Sequence, residues 1–118
     1  MASFPKIKLI AIGKVKKGWI REGIEVYHKR LPELDLVELK DSTPEKEGAQ
    51  ILSMIKPSDR LLALTEEGKT WSSLAFADFV SQADSHNLVF AIGSAAGLSP
   101  AIKQSATQCL SLSPMTFP

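Results

Sequence analysis

Side chains that could do chemistry are few and scattered in this 118-residue chain. His28 lies in a basic helical pattern and His86 in a polar turn. Each is isolated from any group that would make it a general base, and both read as surface residues. Cys109 opens a short apolar stretch, where a thiol is ordinarily buried and inert. Glu66 and Glu67 are neighbours in sequence and rarely would two such carboxylates converge on one substrate, so they read as a solvated loop. No cluster of His, Cys, Asp or Glu has metal-ligand spacing, and no metal is expected. Trp19 and Trp71 could stack on bases. Trp19 falls on the apolar side of its helix and reads as core, whereas Trp71, in a loop, is the more open of the two. No catalytic side chain is assigned.

The stronger signal is backbone rather than side chain. Three apolar runs end in small or turn-forming residues: Gly13, the Thr65 to Gly68 stretch, and Gly93 to Gly97; a fourth ends at Ser113. In open α/β sheets ligands bind beyond the carboxyl ends of the strands. A pocket formed there by backbone N–H and C=O groups suits an adenine edge or a ribose, since those groups are rigid and need no ionisation. Known phosphate motifs do not fit. No G-x-G-x-x-G follows the first apolar run, and "GKVKKGWI" has Trp19-Ile20 where a P-loop needs Lys-Ser/Thr. Turn geometry with positive φ is the competing explanation for Gly93 and Gly97. Chemistry needing little acid–base help would suit such a rim. Methyl transfer from a sulfonium donor is one example, because the donor brings its own leaving group and the protein mainly positions the reactants.

The elements that would position this rim follow from periodicity. "KIKLIAI" and "NLVFAI" read as buried strands, "RLLALT" as another, "LDLVEL" as a half-exposed one and "CLSLS" as a short fifth. Between them, Trp19, Ile20, Ile24, Tyr27 and Leu31 recur at helical spacing up to Pro32. "DSTPEKEGAQILSMIK" starts a second helix with Pro in its first turn, with Ile51, Leu52 and Ile55 as its stripe. "EEGKTWSS" reads as a glycine-containing loop, followed by a helix over 74–83 with Leu74, Phe76, Ala77 and Val80 inward. Ser99-Pro100 opens a last helix running to about Gln108. Alternating strands and helices predict an α/β fold, a mostly parallel sheet with helices on both faces, in a single domain over residues 1–118.

Composition bounds the class. Apolar residues make up 44% and charged residues 23%, as in ordinary globular proteins. No apolar run is long enough to span a bilayer, the first residues make a poor signal peptide, and one cysteine excludes an internal disulfide. A cytoplasmic protein without membrane association is expected. The net charge of +1 conceals an asymmetry: residues 1–30 carry eight basic against two acidic side chains, and the remainder six against eleven. That basic first quarter is a candidate footprint for phosphate.

Several stretches together resemble one family. "IKLIAIGKVKKGWIREGIEVYHKRL", "EKEGAQIL", "LLALTEEGKTWSSLAFADF", "FAIGSAAGLSP" and "LSLSPMTFP" resemble, in this order, the RlmH family of SPOUT-class methyltransferases. The resemblance covers nearly the whole chain and implies transfer of a methyl group from S-adenosylmethionine to N3 of a pseudouridine in 23S rRNA of the ribosome. It also implies a homodimer and a deep trefoil knot, one of the rare exceptions to unknotted topology. Mapped by motif, the cofactor contacts would be Leu64, Gly93 and the run Leu112, Ser113, Pro114, Met115, Thr116 and Phe117. Lys14, Lys16, Lys17 and Arg21 are the candidates for contact with the RNA.

The chain departs from the family pattern in three places. Ser94 stands where the family usually has a second glycine, and Thr65 where an acidic residue often follows the strand. The long helix and tail that follow the "MTFP" motif in the family, building much of the dimer interface and threading the knot, do not follow Pro118 in these 118 residues, so a fragment of a longer protein and a natural short form are both open. On that reading the knot would be incomplete. A non-catalytic module that binds S-adenosylmethionine or RNA is the alternative, and a flavodoxin-type nucleotide domain ranks last for want of a phosphate loop.

Overall fold

A computed structural model of the chain describes residues 6–13, 18–82, 87–94 and 96–113. Along it run β1 (Ile7–Ile12), α1 (Gly18–Arg30), β2 (Asp35–Leu39), α2 (Pro44–Ser53), β3 (Arg60–Thr70), α3 (Ser73–Ser81), β4 (Leu88–Ile92), α4 (Pro100–Ser105) and β5 (Gln108–Ser111). The five strands form one sheet in the order β2-β1-β4-β3-β5. All four pairings are parallel, so every connection must cross over the sheet. The expected α/β architecture with a parallel sheet is the one observed. The described residues end at Ser113 and do not test the knot that the resemblance implies.

Alternation along the central strands sorts the core into two layers. Leu61, Ala63, Val89 and Ala91 face one side, where they pack with Ile51 of α2 and Ile102 of α4. Leu62, Leu88 and Phe90 face the other, against Phe76, Phe79 and Val80 of α3. Helices α2, α3 and α4 begin with side-chain caps that the sequence announces. Thr43, Ser72 and Ser99 each accept a hydrogen bond from a backbone N–H of the first turn, and Pro44 and Pro100 occupy first-turn positions that need no donor.

Four sequence expectations are corrected. Helix α1 contains no buried residue, and Trp19, expected in the core, is 73% exposed. Spacing reveals that a helix has an apolar side but not what that side meets. In α3 the inward aromatic is Phe79 in addition to Phe76, while Leu74 is 84% exposed and Ala77 is also exposed. Helix α4 stops at Ser105 and Gln108 already belongs to β5.

The largest correction concerns "EEGKTWSS". The stretch is not a loop up to Thr70: β3 continues through Glu66, Glu67 and Gly68, with a register shift against β5 between Leu64 and Lys69. Such a bulge lets eleven residues of β3 run along the four of β5. Gly68 permits it. A Cβ there would stand 2.5 Å from the backbone carbon of Cys109. A propensity reading takes this polar, glycine-bearing segment for a loop, because the partner that holds it extended lies some forty residues onward.

Candidate functional site

The chain leaves β3 for α3 on one face and leaves β4 for α4 on the other. Adjacent parallel strands whose connections depart to opposite faces leave a crevice at their carboxyl ends. The register places four of the expected contacts at the level where β3 stops pairing with β4, short of the end of β3 at Thr70. Leu64 of β3 is paired with Ile92 of β4, directly before Gly93, and with Leu110 of β5, two residues before Leu112. Leu64, Gly93, Leu112 and Ser113 thus gather on one rim from three neighbouring strands.

The turn after β4 is closed by its own backbone. Gly97 has φ +85°, the left-handed region that favours glycine. Its N–H donates to the Ser94 carbonyl at 2.8 Å, and the two residues form an isolated antiparallel bridge. That fold-back brings Gly97 and Leu98 over Gly93, where a Cβ would stand 2.7 Å from the Gly97 carbonyl carbon and 2.9 Å from the Leu98 nitrogen. Positive φ, one of the two explanations offered, therefore holds for Gly97 and not for Gly93. Gly97 is a turn glycine, and Gly93 is a close-approach glycine whose first neighbour is the loop itself.

Glu47 holds this turn from behind. It is 2% exposed, and its carboxyl group accepts from the Ser42 N–H at 2.6 Å and from the Ser94 hydroxyl at 3.1 Å. Sequence reasoning missed it. A signal was present: Glu47 lies four residues before Ile51, on the face that the buried stripe defines.

Beside Leu64 a hollow of about 230 Å³ opens between β3, β5 and α3, lined by Leu64, Trp71, Phe76, Phe90, Leu110 and Leu112 among others. Trp71, the tryptophan expected to be more open, is half-buried and lies 5.1 Å from Phe79, centroid to centroid. Phe76 meets Phe90 edge-on at 5.9 Å. At the floor of the β5 exit, buried Ser111 donates from its hydroxyl to the Ser113 carbonyl at 2.8 Å, which fixes the direction in which the chain leaves the strand.

The other candidates are structural or lie elsewhere. His28, read as a surface residue, is half-buried and donates from Nε2 to the Leu34 carbonyl at 2.8 Å, tying the end of α1 to the start of β2. Glu67, in β3 rather than a loop, pairs with Lys103 of α4 at 2.7 Å, and that hydrogen bond holds the Lys103 ammonium above the ordinary lysine value of 10.5. Cys109 is half-buried, its sulfur 3.8 Å from the Lys103 carbonyl. Arg21 is exposed on α1. Lys14, Lys16, Lys17, His86, Pro114, Met115, Thr116 and Phe117 lie outside the described residues. Among the described residues no group of His, Cys, Asp and Glu could hold a metal ion, and no helix is long and apolar enough to cross a membrane.

A parallel sheet with a topological switch between β3 and β4 defines a class of open α/β domain, and comparison with known proteins narrows it. The family described as "Predicted SPOUT methyltransferase" matches residues 5–118, and the chain belongs to that family. Similar curated proteins carry the name "Ribosomal RNA large subunit methyltransferase H". One from Parasynechococcus marenigrum is 45% identical over 113 residues, covering 96% of this chain and 78% of the relative. One from a Synechococcus species is 48% identical, covering 96% and 77%. One from a Prochlorococcus marinus strain is 45% identical across the whole chain and 81% of its own length.

Proposed function

We infer that the protein methylates ribosomal RNA with S-adenosylmethionine bound at the carboxyl rim of β3, β4 and β5. The observation that carries this reading is the register that gathers Leu64, Gly93, Leu112 and Ser113 at the switch between β3 and β4. The residues present suit that donor. The hollow offers an apolar and aromatic wall for the flat face of an adenine, and the ends of three strands offer backbone donors and acceptors for its edge. The run from Pro114 to Phe117 would complete the pocket from the β5 side.

S-adenosylmethionine supplies an activated methyl group together with its thioether leaving group. The chain's share of the work is to hold donor and acceptor in line, which can lower the barrier by several kcal/mol. The acceptor is proposed to be N3 of a pseudouridine in 23S rRNA, which gives up its proton to solvent as it takes the methyl group, within the ribosome and in the cytoplasm, with a homodimer as the working unit. This assignment draws on the names of the relatives and on the resemblance of the "AIGSAAGLSP" and "LSLSPMTFP" stretches. Lys14, Lys16, Lys17 and Arg21 would meet RNA phosphates.

The test is methyl transfer from isotopically labelled S-adenosylmethionine to ribosomes from cells deleted for the enzyme. Label should appear in 23S rRNA as N3-methylpseudouridine, and ribosomes already modified should take up none. Donor binding without any label in RNA would instead establish a non-catalytic module.

A further inference from the structure

We propose that Glu47 is a positioning residue for the donor site, acting through Ser94 to lock the turn after β4; the proposal rests on the reading that Gly93 contacts S-adenosylmethionine. The bond to the Ser42 N–H is local, and by itself would make Glu47 only a cap at the start of α2, where a carboxyl group also suits the positive end of the helix dipole. The bond from the Ser94 hydroxyl is different, because it spans 47 residues and joins a helix to the exit of a central strand.

Ser94 is gripped from two directions. Its side chain donates to Glu47 Oε1 while its carbonyl accepts from Gly97, so the position of the carboxyl group is passed to the Gly97-Leu98 backbone that lies on Gly93. The next residue of α2 acts on the other end of the same turn. A Cβ on Gly48 would collide with Ser99 Oγ, the hydroxyl that caps α4. One turn of α2 thus sets the entrance of the loop through Glu47 and makes room for its exit through Gly48.

A glycine at position 94 could not take part in this contact. The serine, which is the departure of this chain from the resembled pattern, replaces the backbone freedom of glycine with a hydrogen bond to a buried acceptor. Hydrogen bonds to carboxyl groups within low-dielectric surroundings are among the stronger ones, so the loop is held rather than merely permitted.

The experiment measures S-adenosylmethionine affinity by calorimetry and steady-state methyl transfer for S94A, E47A and the double variant. S94A is expected to raise Kd and KM for the donor about threefold to tenfold with kcat little changed, a split that a general loss of stability would not produce. The double variant is expected to be no worse than E47A alone, since either substitution already removes the Ser94–Glu47 hydrogen bond. Unchanged Kd and KM in S94A, or effects of the two substitutions that add, would overturn the proposal. Absence of donor binding by the unsubstituted protein would sink the cofactor reading itself. The clamp is then decided by hydrogen exchange at the Gly97 amide, which should be several-fold faster in S94A and which, if unchanged, removes the clamp as well.

Discussion

Two glycines four residues apart in one turn have different physical reasons to be glycine, and substitution separates them. Gly97 has open space around its missing Cβ but a positive φ, so G97A should cost only the strain of a left-handed alanine, about 1–2 kcal/mol. Gly93 faces the Gly97 and Leu98 backbone at under 3 Å, and backbone cannot swing aside as a side chain can. G93A should therefore move the turn, weaken donor binding and cost about 1–3 kcal/mol, as overpacking does. Chemical denaturation with a parallel titration of S-adenosylmethionine checks both. Equal donor affinities for the two variants would show that the turn does not govern the site.

At the scale of elements, helices α1 and α4 invert what their lengths suggest. Helix α4 has six residues but buries Ile102 completely, at the centre of the layer shared with α2. Removing that side chain to alanine leaves a cavity that close-packed neighbours cannot fill, and I102A should lose about 2–5 kcal/mol in urea denaturation. Helix α1 has thirteen residues and buries none fully. W19S should change stability by no more than about 0.5 kcal/mol, because exposed positions contribute little. A large loss in W19S measured at protein concentrations where the chain is monomeric would show that Trp19 has a partner within its own fold. The legibility of these elements was uneven for a physical reason. Caps and first-turn prolines are local, so Thr43-Pro44 and Ser99-Pro100 marked two helix starts correctly. The extension of β3 to Thr70 is a pairing with β5, and no local signal carries it.

For the whole molecule, the separation of charge is the feature on which the proposed contact with RNA depends. The near-neutral total conceals a first quarter rich in Lys and Arg, with Arg21 exposed on α1 and acidic residues concentrated later in the chain. Basic side chains that neutralise RNA phosphates release counterions, so affinity falls with salt in proportion to the contacts made. R21E should weaken binding to ribosomal RNA and flatten its salt dependence by roughly one contact, while donor affinity stays as in the unsubstituted protein. Filter binding across a salt series measures the slope. An unchanged slope would remove Arg21 from the RNA interface.

Much of this architecture could be read before any coordinates. Hydrophobic periodicity identified five strands and four helices, because burial imposes a period of 2 or 3.6 on the residues themselves. The same reading placed glycines at strand ends, and the resemblance of the "LLALTEEGKTWSSLAFADF", "FAIGSAAGLSP" and "LSLSPMTFP" stretches pointed to Leu64, Gly93 and Leu112. Tertiary structure decided which strands are neighbours, and hence that Leu64, Ile92 and Leu110 share one rim. It also decided why Gly93 is glycine, which face of α1 stays exposed, and that Glu47 reaches Ser94. Each of these depends on two segments far apart in the chain approaching within a few ångströms, and periodicity records only the side of an element that is apolar, never the residue that it will meet.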